Sequence, residues 1–241
     1  MDVKVVPAVL PTSRDDLERQ LSELSGVTDE VQLNIVDGKF ASPATWPYVL
    51  QVHDLEHLIA QHRMLPGWGI FRFEIELQVK QPEDVIGAWI AVGATRLTIH
   101  IDSIGVPDRI LRDLEVQYGH DKDFAPDLLS VGFALGVDTD FNVVEPYIDR
   151  LDYVQFMGVS RLGKHGEPFE SKVVDRIKEF RKKHPSVGVQ VDGGVSRATA
   201  PALLSAGVSR LVVGSDLWRA EDKLVRYQEI KMLAEQYGIY E

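Results

Sequence analysis

The sequence predicts an α/β protein folded as a single (β/α)8 TIM barrel over residues 1–241. Strand-like and helix-like segments alternate along the chain, and the strand-like segments number eight. A closed barrel of this kind usually takes about 250 residues. No tract rich in serine, glycine or proline divides the chain, so we expect one domain. A doubly wound open sheet is the alternative, but no G-x-G-x-x-G motif follows the first strand-like segment.

The eight strand-like segments are short, rich in apolar residues, and mostly bounded by polar turns. In chain order they are VKVVPAVL (3–10), EVQLNIV (30–36), FRFEIELQV (71–79), RLTIHI (96–101), LLSVGFAL (128–135), YVQFMGV (153–159), VGVQVDG (187–193) and RLVVGS (210–215). Several of them alternate polar and apolar residues. In a barrel strand this alternation places one face toward the helices and the other toward the barrel interior.

Helix-like segments occupy most of the intervals between these strands. The segment 13–24 begins with a serine cap and has leucines at spacings of four and three. The segment 82–93 opens with proline and two acids and closes with glycine. The segment 169–184 has one apolar stripe and a positive C-terminal end, and the segment 197–207 ends at glycine. This alternation indicates parallel βαβ units.

The composition excludes several classes of function. The formal net charge of −11 argues against nucleic acid or an anionic membrane as the main partner, although backbone amides can still hold a small anion. The absence of cysteine excludes disulfides, thiolate zinc sites and thiol nucleophiles. No apolar run approaches the roughly 18 residues of a membrane span, and the first residues do not form a signal peptide. We expect a soluble cytoplasmic protein.

Polar residues are expected at the mouth of the barrel, where active sites of this fold lie. The inward residues nearest the C-terminal strand ends are Asn34, Glu76, His100, Met157 and Asp192. Burying several converging polar groups is costly unless they bond to each other or to a ligand. We therefore favour a ligand site over a structural polar plug.

Two glycine-containing loops, 191–196 and 212–218, each follow a strand and precede a helix. Their candidate anion-binding residues are Gly193, Gly194, Gly214 and Ser215. Backbone N–H groups can approach an anion closely in such loops, and barrels commonly bind phosphate after strands seven and eight. The two loops together predict a phosphate clamp, whereas either loop alone is also explained as a tight turn.

The chain resembles the ribulose-phosphate 3-epimerase family over nearly its full length. The family's APSIL is matched by VPAVL (6–10), its HVDVMDGxFVP by QLNIVDGKFASP (32–43), its HLMV by ELQV (76–79), and its MSVNPGFGGQxF by MGVSRLGKHGEPF (157–169), which is one residue longer. The family's VDGGV and GS loops are retained at 191–195 and 214–215. The resemblance implies a phosphosugar barrel in which Met157 lies beneath the sugar.

In that family two aspartates exchange the proton at carbon 3 of the sugar, one on each face. A divalent metal held by two histidines and the same two aspartates stabilises the enediolate. By position, Gln32 and Glu76 replace the histidines, Asn34 replaces the first aspartate, and Asp192 retains the second; the family's early serine is Ala8. An amide cannot act as a general base near neutral pH. Neither the His-based metal centre nor ordinary ribulose-phosphate epimerisation is therefore expected.

The resemblance and the altered residues together predict an isomerase or epimerase of a small phosphorylated sugar with a rebuilt site. Glu76 and Asp192 would form the acid/base pair, Asn34 and Gln32 would polarise the substrate oxygen, and His100 would assist. A second route makes Gln32, Asn34, Glu76 and Asp192 an all-oxygen site for Mg²⁺, Mn²⁺ or Ca²⁺. Amide oxygens are weak ligands, so we expect no metal and no other cofactor.

Other interpretations remain open. The chain could be a non-catalytic sugar-phosphate-binding protein that keeps only the phosphate clamp. Glu76 could be a structural carboxylate paired with Arg72 or Arg96. Relatives form dimers and larger assemblies, which leaves a homo-oligomer open. Decarboxylases and Schiff-base aldolases with similar phosphate sites need a lysine that points into the mouth from a strand, and no D-x-K-x-x-D arrangement is present.

Overall fold

The structure is a computed structural model that describes residues 3–49, 53–122 and 128–238. Its centre is a closed barrel of eight parallel strands, each paired with its neighbours in chain order. The strands are β1 (Lys4–Val9), β2 (Glu30–Val36), β3 (Arg72–Gln78), β4 (Ala94–His100), β5 (Ser130–Leu135), β6 (Tyr153–Met157), β7 (Gly188–Asp192) and β8 (Arg210–Val213). Pairing of β1 with β8 closes the sheet, which confirms the predicted (β/α)8 barrel; the open sheet is wrong.

Helices surround the barrel. Within the described ranges they are α1 (Arg14–Leu24), α2 (Asp54–Ala60), α3 (Ile86–Ala91), α4 (Pro107–Tyr118), α5 (Lys172–Lys183), α6 (Ala200–Ser205), α7 (Ser215–Trp218) and α8 (Lys223–Tyr237). Short 3-10 segments add Pro82–Asp84, Ile101–Ser103 and Phe141–Arg150. None of the helices in these ranges combines the length and the apolar character that a membrane-spanning helix requires.

Two of the connections between strands depart locally from a continuous α-helix. The segment 82–93 is divided at Val85, whose φ of −121° and ψ of −16° are not helical. The crossover between β5 and β6 contains a 3-10 segment, Phe141–Arg150, instead of an α-helix. Pro146 lies inside that segment and cannot donate a backbone hydrogen bond. By contrast, α1 begins as predicted, because Ser13 Oγ accepts a hydrogen bond of 3.1 Å from the backbone N–H of Asp16.

The period-two pattern of β3 separates an apolar layer from a polar interior. Phe73, Ile75 and Leu77 are fully buried in the apolar core between the sheet and the helices. Glu74 and Glu76 alternate with them and are also buried, inside the barrel. The apolar layer supplies most of the hydrophobic stabilisation, at about 25 cal/mol per Å² of buried apolar surface. The interior is left to polar side chains that must satisfy one another.

Glu74 is the centre of the lower part of that interior. Its Oε1 accepts hydrogen bonds from Thr98 Oγ1 at 2.7 Å and Gln32 Nε2 at 2.9 Å. Its Oε2 lies 3.1 Å from Arg210 Nη2 and 3.3 Å from Arg96 Nε. Burial alone would raise the pKa of Glu74, but Arg210 and Arg96 outweigh burial and lower the pKa to about 2. The carboxylate is therefore ionised, paired and structural.

Candidate active site

The C-terminal mouth of the barrel holds a cavity of about 40 Å³. Residues from five strands and from the loops that follow β6, β7 and β8 meet there. Those that the argument below uses are Asn34, Gln78, Met157, Asp192, Gly194 and Ser215. Gly193 and Gly214 line the same cavity, so the two predicted phosphate loops and part of the predicted reactive centre face one space. Glu76, His100 and Gln32 lie beneath it and are fully or almost fully buried.

Strand register explains how these polar groups meet. Asn34 of β2 is paired with Glu76 of β3, and Met157 of β6 is paired with Asp192 of β7. All four side chains are at the C-terminal level of the barrel interior, where parallel strands bring their ends together. The separation of these four residues along the sequence does not show that their side chains lie close together.

Asp192 is the carboxyl group at the surface of the cavity. Its Oδ2 accepts a hydrogen bond from Asn34 Nδ2 at 3.2 Å, and its Oδ1 accepts one from the backbone N–H of Gly193 at 2.8 Å. It is also hydrogen-bonded to Glu76. Only 7% of the residue is exposed. These contacts fix the orientation of the carboxyl group toward the mouth.

Glu76 lies directly behind Asp192. Its Oε1 accepts a hydrogen bond of 2.6 Å from Gln155 Nε2 and is 3.0 Å from His100 Nε2, while Oε2 accepts one of 2.9 Å from Gln78 Nε2. No exposed surface remains on the residue. Glu76 therefore reaches the cavity only through Asp192.

The interpretation of Glu76 as the partner of an arginine is wrong. Arg72 contacts Glu30, and Arg96 contacts Glu74, one inward position below Glu76. Both arginines lie at the N-terminal end of the barrel, so their side chains contact the carboxylates nearest that end, Glu30 and Glu74. Glu76 is left with amides, an imidazole and a second carboxyl group.

The two carboxyl groups titrate together. The pKa of Glu76 is raised to about 7, mainly by burial; the charge of Glu74 acts in the same direction, and the hydrogen bonds with Gln78, Gln155 and Asp192 act against it. Burial, followed by the charge of Glu76, raises the pKa of Asp192 well above its usual range. Two hydrogen-bonded carboxyl groups in a water-poor site cannot readily both ionise, so the pair holds one proton near neutral pH.

Substitution of Glu76 by glutamine is expected to flatten the pH dependence of stability. The folded-state pKa of about 7 lies above the ordinary value of 4.5, so the contribution of Glu76 to stability is complete below pH 4.5 and is lost as pH rises through 7. Urea denaturation between about pH 5 and pH 8 measures the slope. The exposed Glu235→Gln variant is the control. An unchanged slope in Glu76→Gln would contradict the assignment.

The amide side chains present oxygen, not nitrogen, to the cavity. Asn34 Nδ2 donates to Asp192, and Gln78 Nε2 donates to Glu76. The oxygens Asn34 Oδ1 and Gln78 Oε1 are buried without a hydrogen-bond partner among the described residues. Two acceptors beside the cavity are therefore left unsatisfied.

This arrangement corrects the predicted role of Gln32. Gln32 Nε2 donates to Glu74 at 2.9 Å and to Gln155 at 3.1 Å, one level below the cavity, so both of its N–H groups have acceptors. Gln32 does not line the cavity and supports the interior instead. Asn34 does line the cavity, and its Nδ2 donates one of its two N–H groups to Asp192.

His100 contacts Glu76 and not the cavity. Burial lowers the pKa of His100 to about 4, so the imidazole is neutral at pH 7. A neutral ring with its proton on Nε2 donates to Glu76 Oε1. The ring centroid is 5.4 Å from that of Phe40. His100 is thus placed to orient Glu76.

Gln78 and Gln155 bind Glu76 directly, and the sequence did not single them out as site residues. Gln155 also donates to Met157 Sδ at 3.1 Å, and so connects Met157 to the acid pair. The alternation along β6 places Tyr153, Gln155 and Met157 on one face, and the same alternation on β3 places Gln78 inward. Extending the inward set to every strand would have found both residues.

The phosphate loops have free backbone donors. Within the part of the chain that the structure describes, no backbone acceptor is hydrogen-bonded to the N–H of Gly194 or Ser215. Gly194 has a φ of +68°, and a Cβ there would lie 2.8 Å from Phe169 Cβ, so only glycine fits. Helix α7 starts at Ser215. The two N–H groups are therefore placed to bind an anion in the shared cavity.

The loop that follows β6 covers this cavity. Arg161 Nε and Lys164 Nζ lie 2.7 Å and 3.0 Å from the carboxylate of Glu167. The His165 ring packs on Gly214, where a Cβ would lie 2.4 Å from it. Burial and the charge of Arg219 lower the pKa of His165 to about 4. A neutral imidazole thus lies against the second phosphate loop.

Asp37, in the turn after β2, has a structural role. Its Oδ1 accepts hydrogen bonds from the backbone N–H groups of Lys39 and Phe40, and its Oδ2 accepts one from that of Lys80 at 2.9 Å. The side chain ties the loop after β2 to the end of β3 and so supports the mouth.

The chain is similar in sequence to proteins of a known family. A model of the ribulose-phosphate 3 epimerase family matches residues 4–218. The chain is 25% identical over 222 residues to the ribulose-phosphate 3-epimerase of Schizosaccharomyces pombe, covering 92% of this chain and 89% of that protein. It is 25% identical over 236 residues to the ribulose-phosphate 3-epimerase of Bacillus subtilis, covering 95% and 98%.

Similar solved structures include KGPDC from Streptococcus mutans, with a TM-score of 0.68 and 13% identity over 98% of this chain and 99% of that chain. Another is the 3-hexulose-6-phosphate synthase of Salmonella typhimurium, with a TM-score of 0.64 and 13% identity over 97% and 99%. At these identities the likeness shows the fold alone.

Proposed function

Because this chain belongs to the ribulose-phosphate 3-epimerase family, we propose that it transfers a proton on a phosphorylated ketose, with Asp192 and Glu76 as its acid/base pair. The observation that carries the proposal is the buried, hydrogen-bonded carboxyl pair beside two free backbone donors in one cavity. Raised pKa values that lie close to neutrality suit general acid/base work.

The proposed reaction is an isomerisation on one face of the substrate. Epimerisation needs a base on each face, and the position of the family's other base is Asn34, which cannot accept a proton. In the proposed step Asp192 takes a proton from the carbon beside the carbonyl, the C–H electrons form a C=C bond, and the carbonyl π electrons move onto oxygen to give an enediolate. The proton of the neighbouring hydroxyl group passes to that oxygen, so that this hydroxyl group can become the new carbonyl. The same carboxyl group then returns the proton to the neighbouring carbon, so one base suffices.

Glu76 and its neighbours keep Asp192 reactive. With the shared proton on Glu76, Asp192 is a carboxylate that accepts hydrogen bonds from Asn34 and Gly193. Gln78 and Gln155 hold Glu76 in place behind it.

The residues at the family's metal position do not fit a divalent cation. The amide N–H groups of Gln32 and Asn34 point at carboxyl groups, and the carboxyl groups of Glu76 and Asp192 are hydrogen-bonded to each other. Within the described ranges there is no group of three or more histidine, cysteine, aspartate or glutamate side chains that could hold a metal. We therefore propose an acid/base route in which a shared proton takes the place of a cation between the carboxyl groups.

Exchange with solvent tests the proposal. Phosphopentuloses and phosphohexuloses are incubated with the protein in D₂O, and incorporation is followed by NMR. We expect deuterium at the carbon beside the carbonyl together with the matching aldose phosphate, and no epimer at carbon 3. Incorporation no greater than in a sample without protein would overturn the enzymatic assignment, and a carbon-3 epimer would overturn the single-base route.

A binding protein without turnover is the second candidate, favoured by the position of Asn34 and by the engagement of both Asp192 oxygens in hydrogen bonds. It predicts a rise in melting temperature with a sugar phosphate and no exchange. Both candidates need the phosphate clamp.

Substitution of Ser215 by aspartate is expected to abolish the thermal stabilisation by a sugar phosphate, because a carboxylate beside the Ser215 N–H repels the phosphate. Ser215→Asn, which has nearly the same shape and no charge, is the matched control and should keep most of the shift. Differential scanning fluorimetry measures both. Equal shifts in the two variants would place the phosphate elsewhere.

A further inference from the structure

A second cavity, of about 270 Å³, lies at the opposite, N-terminal end of the barrel. Lys4, Glu30, Arg72 and Arg210 are the first residues of β1, β2, β3 and β8, so their side chains meet at this end. The charged lining is completed by Glu74 and Arg96. Nothing in the proposed reaction uses this N-terminal cavity.

The lining carries an excess of positive charge in a chain whose net charge is −11. Four cationic side chains and two carboxylates form it. The pKa values of Glu30 and Glu74 are both lowered, since the neighbouring cations outweigh the effect of burial, so both carboxylates are ionised at neutral pH. Two positive charges therefore have no carboxylate within the lining, and Asp29 at the rim, which contacts Arg72, offsets one of them.

Arg210 and Arg72 have their partners. Arg210 Nη1 donates to Glu30 Oε2 at 2.7 Å, and its Nη2 is 3.1 Å from Glu74 Oε2. Arg72 Nη2 contacts the carboxylates of both Glu30 and Asp29. Both Nη groups of Arg210 contact carboxylates, whereas Arg72 uses only Nη2, and its side chain is 54% exposed to solvent.

Arg96 is only partly satisfied. Its guanidinium carbon lies 3.4 Å from the centre of the Tyr153 ring, which covers one face. Its Nη2 donates to Gln190 Oε1 at 3.3 Å, and its Nε, although 3.3 Å from Glu74 Oε2, is not aligned for a hydrogen bond. No acceptor among the described residues is hydrogen-bonded to Nη1. The edge of a planar, permanently charged donor group is thus unused beside the cavity.

Lys4 is the other cation of the lining whose charge is only weakly paired with a carboxylate. Its Nζ is 4.0 Å from Glu30 Oε1, the limit of an ion pair, and 57% of its side chain is exposed. A flexible ammonium group at the rim and a fixed guanidinium edge inside form two sides of one pocket. Leaving such donors unpaired in a partly buried site is unfavourable, and an anion removes that cost.

We propose that the N-terminal cavity binds a small oxyanion, a phosphate or a carboxylate group, between Arg96 and Lys4. Both groups offer the oxygen pairs that a guanidinium edge recognises. The volume of about 270 Å³ accommodates a phosphate ester or a di- or tricarboxylate. Glu74 and the glutamines around it separate this site from the mouth, so the two sites bind independently of each other's contacts.

The experiment removes the mouth site first. The Ser215→Asp protein is titrated by calorimetry with inorganic phosphate and, separately, with citrate at fixed ionic strength. We expect one binding event per chain to remain with at least one of the two probes. The stronger probe identifies the phosphate or the carboxylate class. Absence of heat with both probes overturns the proposal and leaves the exchange test of the proposed reaction unaffected.

Two further variants in the same Ser215→Asp background locate the site. Arg96→Gln is expected to weaken the remaining event by at least about tenfold, the scale of one charge-assisted contact. Lys4→Glu, at an exposed position that folding does not depend on, is expected to weaken it similarly and covers the case in which Arg96→Gln fails to fold. Lys231→Glu on α8 is the charge-matched control. Retained affinity in Lys4→Glu, or an equal loss in Lys231→Glu, overturns the assignment.

Discussion

Asp192→Asn is expected to lower the rate of proton exchange between a phosphoketose and solvent by about a thousandfold, within the range measured when a general acid/base is removed. Asp192 is the carboxyl group of the pair that lines the cavity, whereas Glu76 has no exposed surface. Asparagine keeps the shape and the hydrogen bond to Gly193 but cannot take a proton. The measurement is deuterium incorporation by NMR under saturating substrate.

Two comparisons make this result specific to proton transfer. The thermal shift by sugar phosphate should persist in Asp192→Asn, because the phosphate loops are untouched. Glu76→Gln should lower exchange less and should change its pH profile, since Glu76 acts through Asp192. Exchange at the wild-type rate in Asp192→Asn would contradict the assigned role, whatever the behaviour of Glu76→Gln.

Glu74→Gln is expected to cost about 3 to 5 kcal/mol of unfolding free energy, the usual result when one partner of a buried ion pair is removed. The substitution leaves Arg96 and Arg210 facing a neutral amide inside the barrel. Urea denaturation at pH 7 measures the loss. The folded-state pKa of about 2 lies below the ordinary 4.5, so the wild-type contribution is complete above pH 4.5 and is lost as pH falls toward 2.

The variant should therefore lack this acid-dependent loss. Glu18→Gln on α1 is the control, since its ion pair with Arg14 is largely exposed and is worth less than about 1 kcal/mol. If Glu74→Gln costs no more than Glu18→Gln, the lower interior is not held by this carboxylate.

The barrel was predictable because its signals are periodic and local. Alternation on β3 was enough to place Glu74 and Glu76 inside, and glycines after β7 and β8 were enough to indicate loops that share a cavity. These properties depend on residues close in sequence and on one rule of barrel geometry. The 3-10 crossover Phe141–Arg150 shows the limit of such rules, since no sequence pattern identified it in advance, although the barrel topology was predicted.

The hydrogen-bonding of the site was not predictable from the same patterns. Whether Asn34 offers its nitrogen or its oxygen to a ligand depends on Asp192, which is 158 residues away. The interpretation that paired Glu76 with an arginine was wrong for a similar reason. Glu74 and Glu76 lie on the same face of β3, at different levels along the barrel axis, and Arg96 contacts Glu74. Residue type and strand face do not specify which side chain from another strand lies within contact distance.

The contact between His165 and Gly214 has a consequence for any measured affinity. His165 lines the same cavity as Gly194 and Ser215, so its imidazole ring and a sugar phosphate bound between the two phosphate loops compete for the same space. Where the ring has to leave before the ligand binds, the observed dissociation constant exceeds the intrinsic one by the inverse of the fraction of protein in the open state. We therefore expect substitution of His165 to change the affinity for a sugar phosphate.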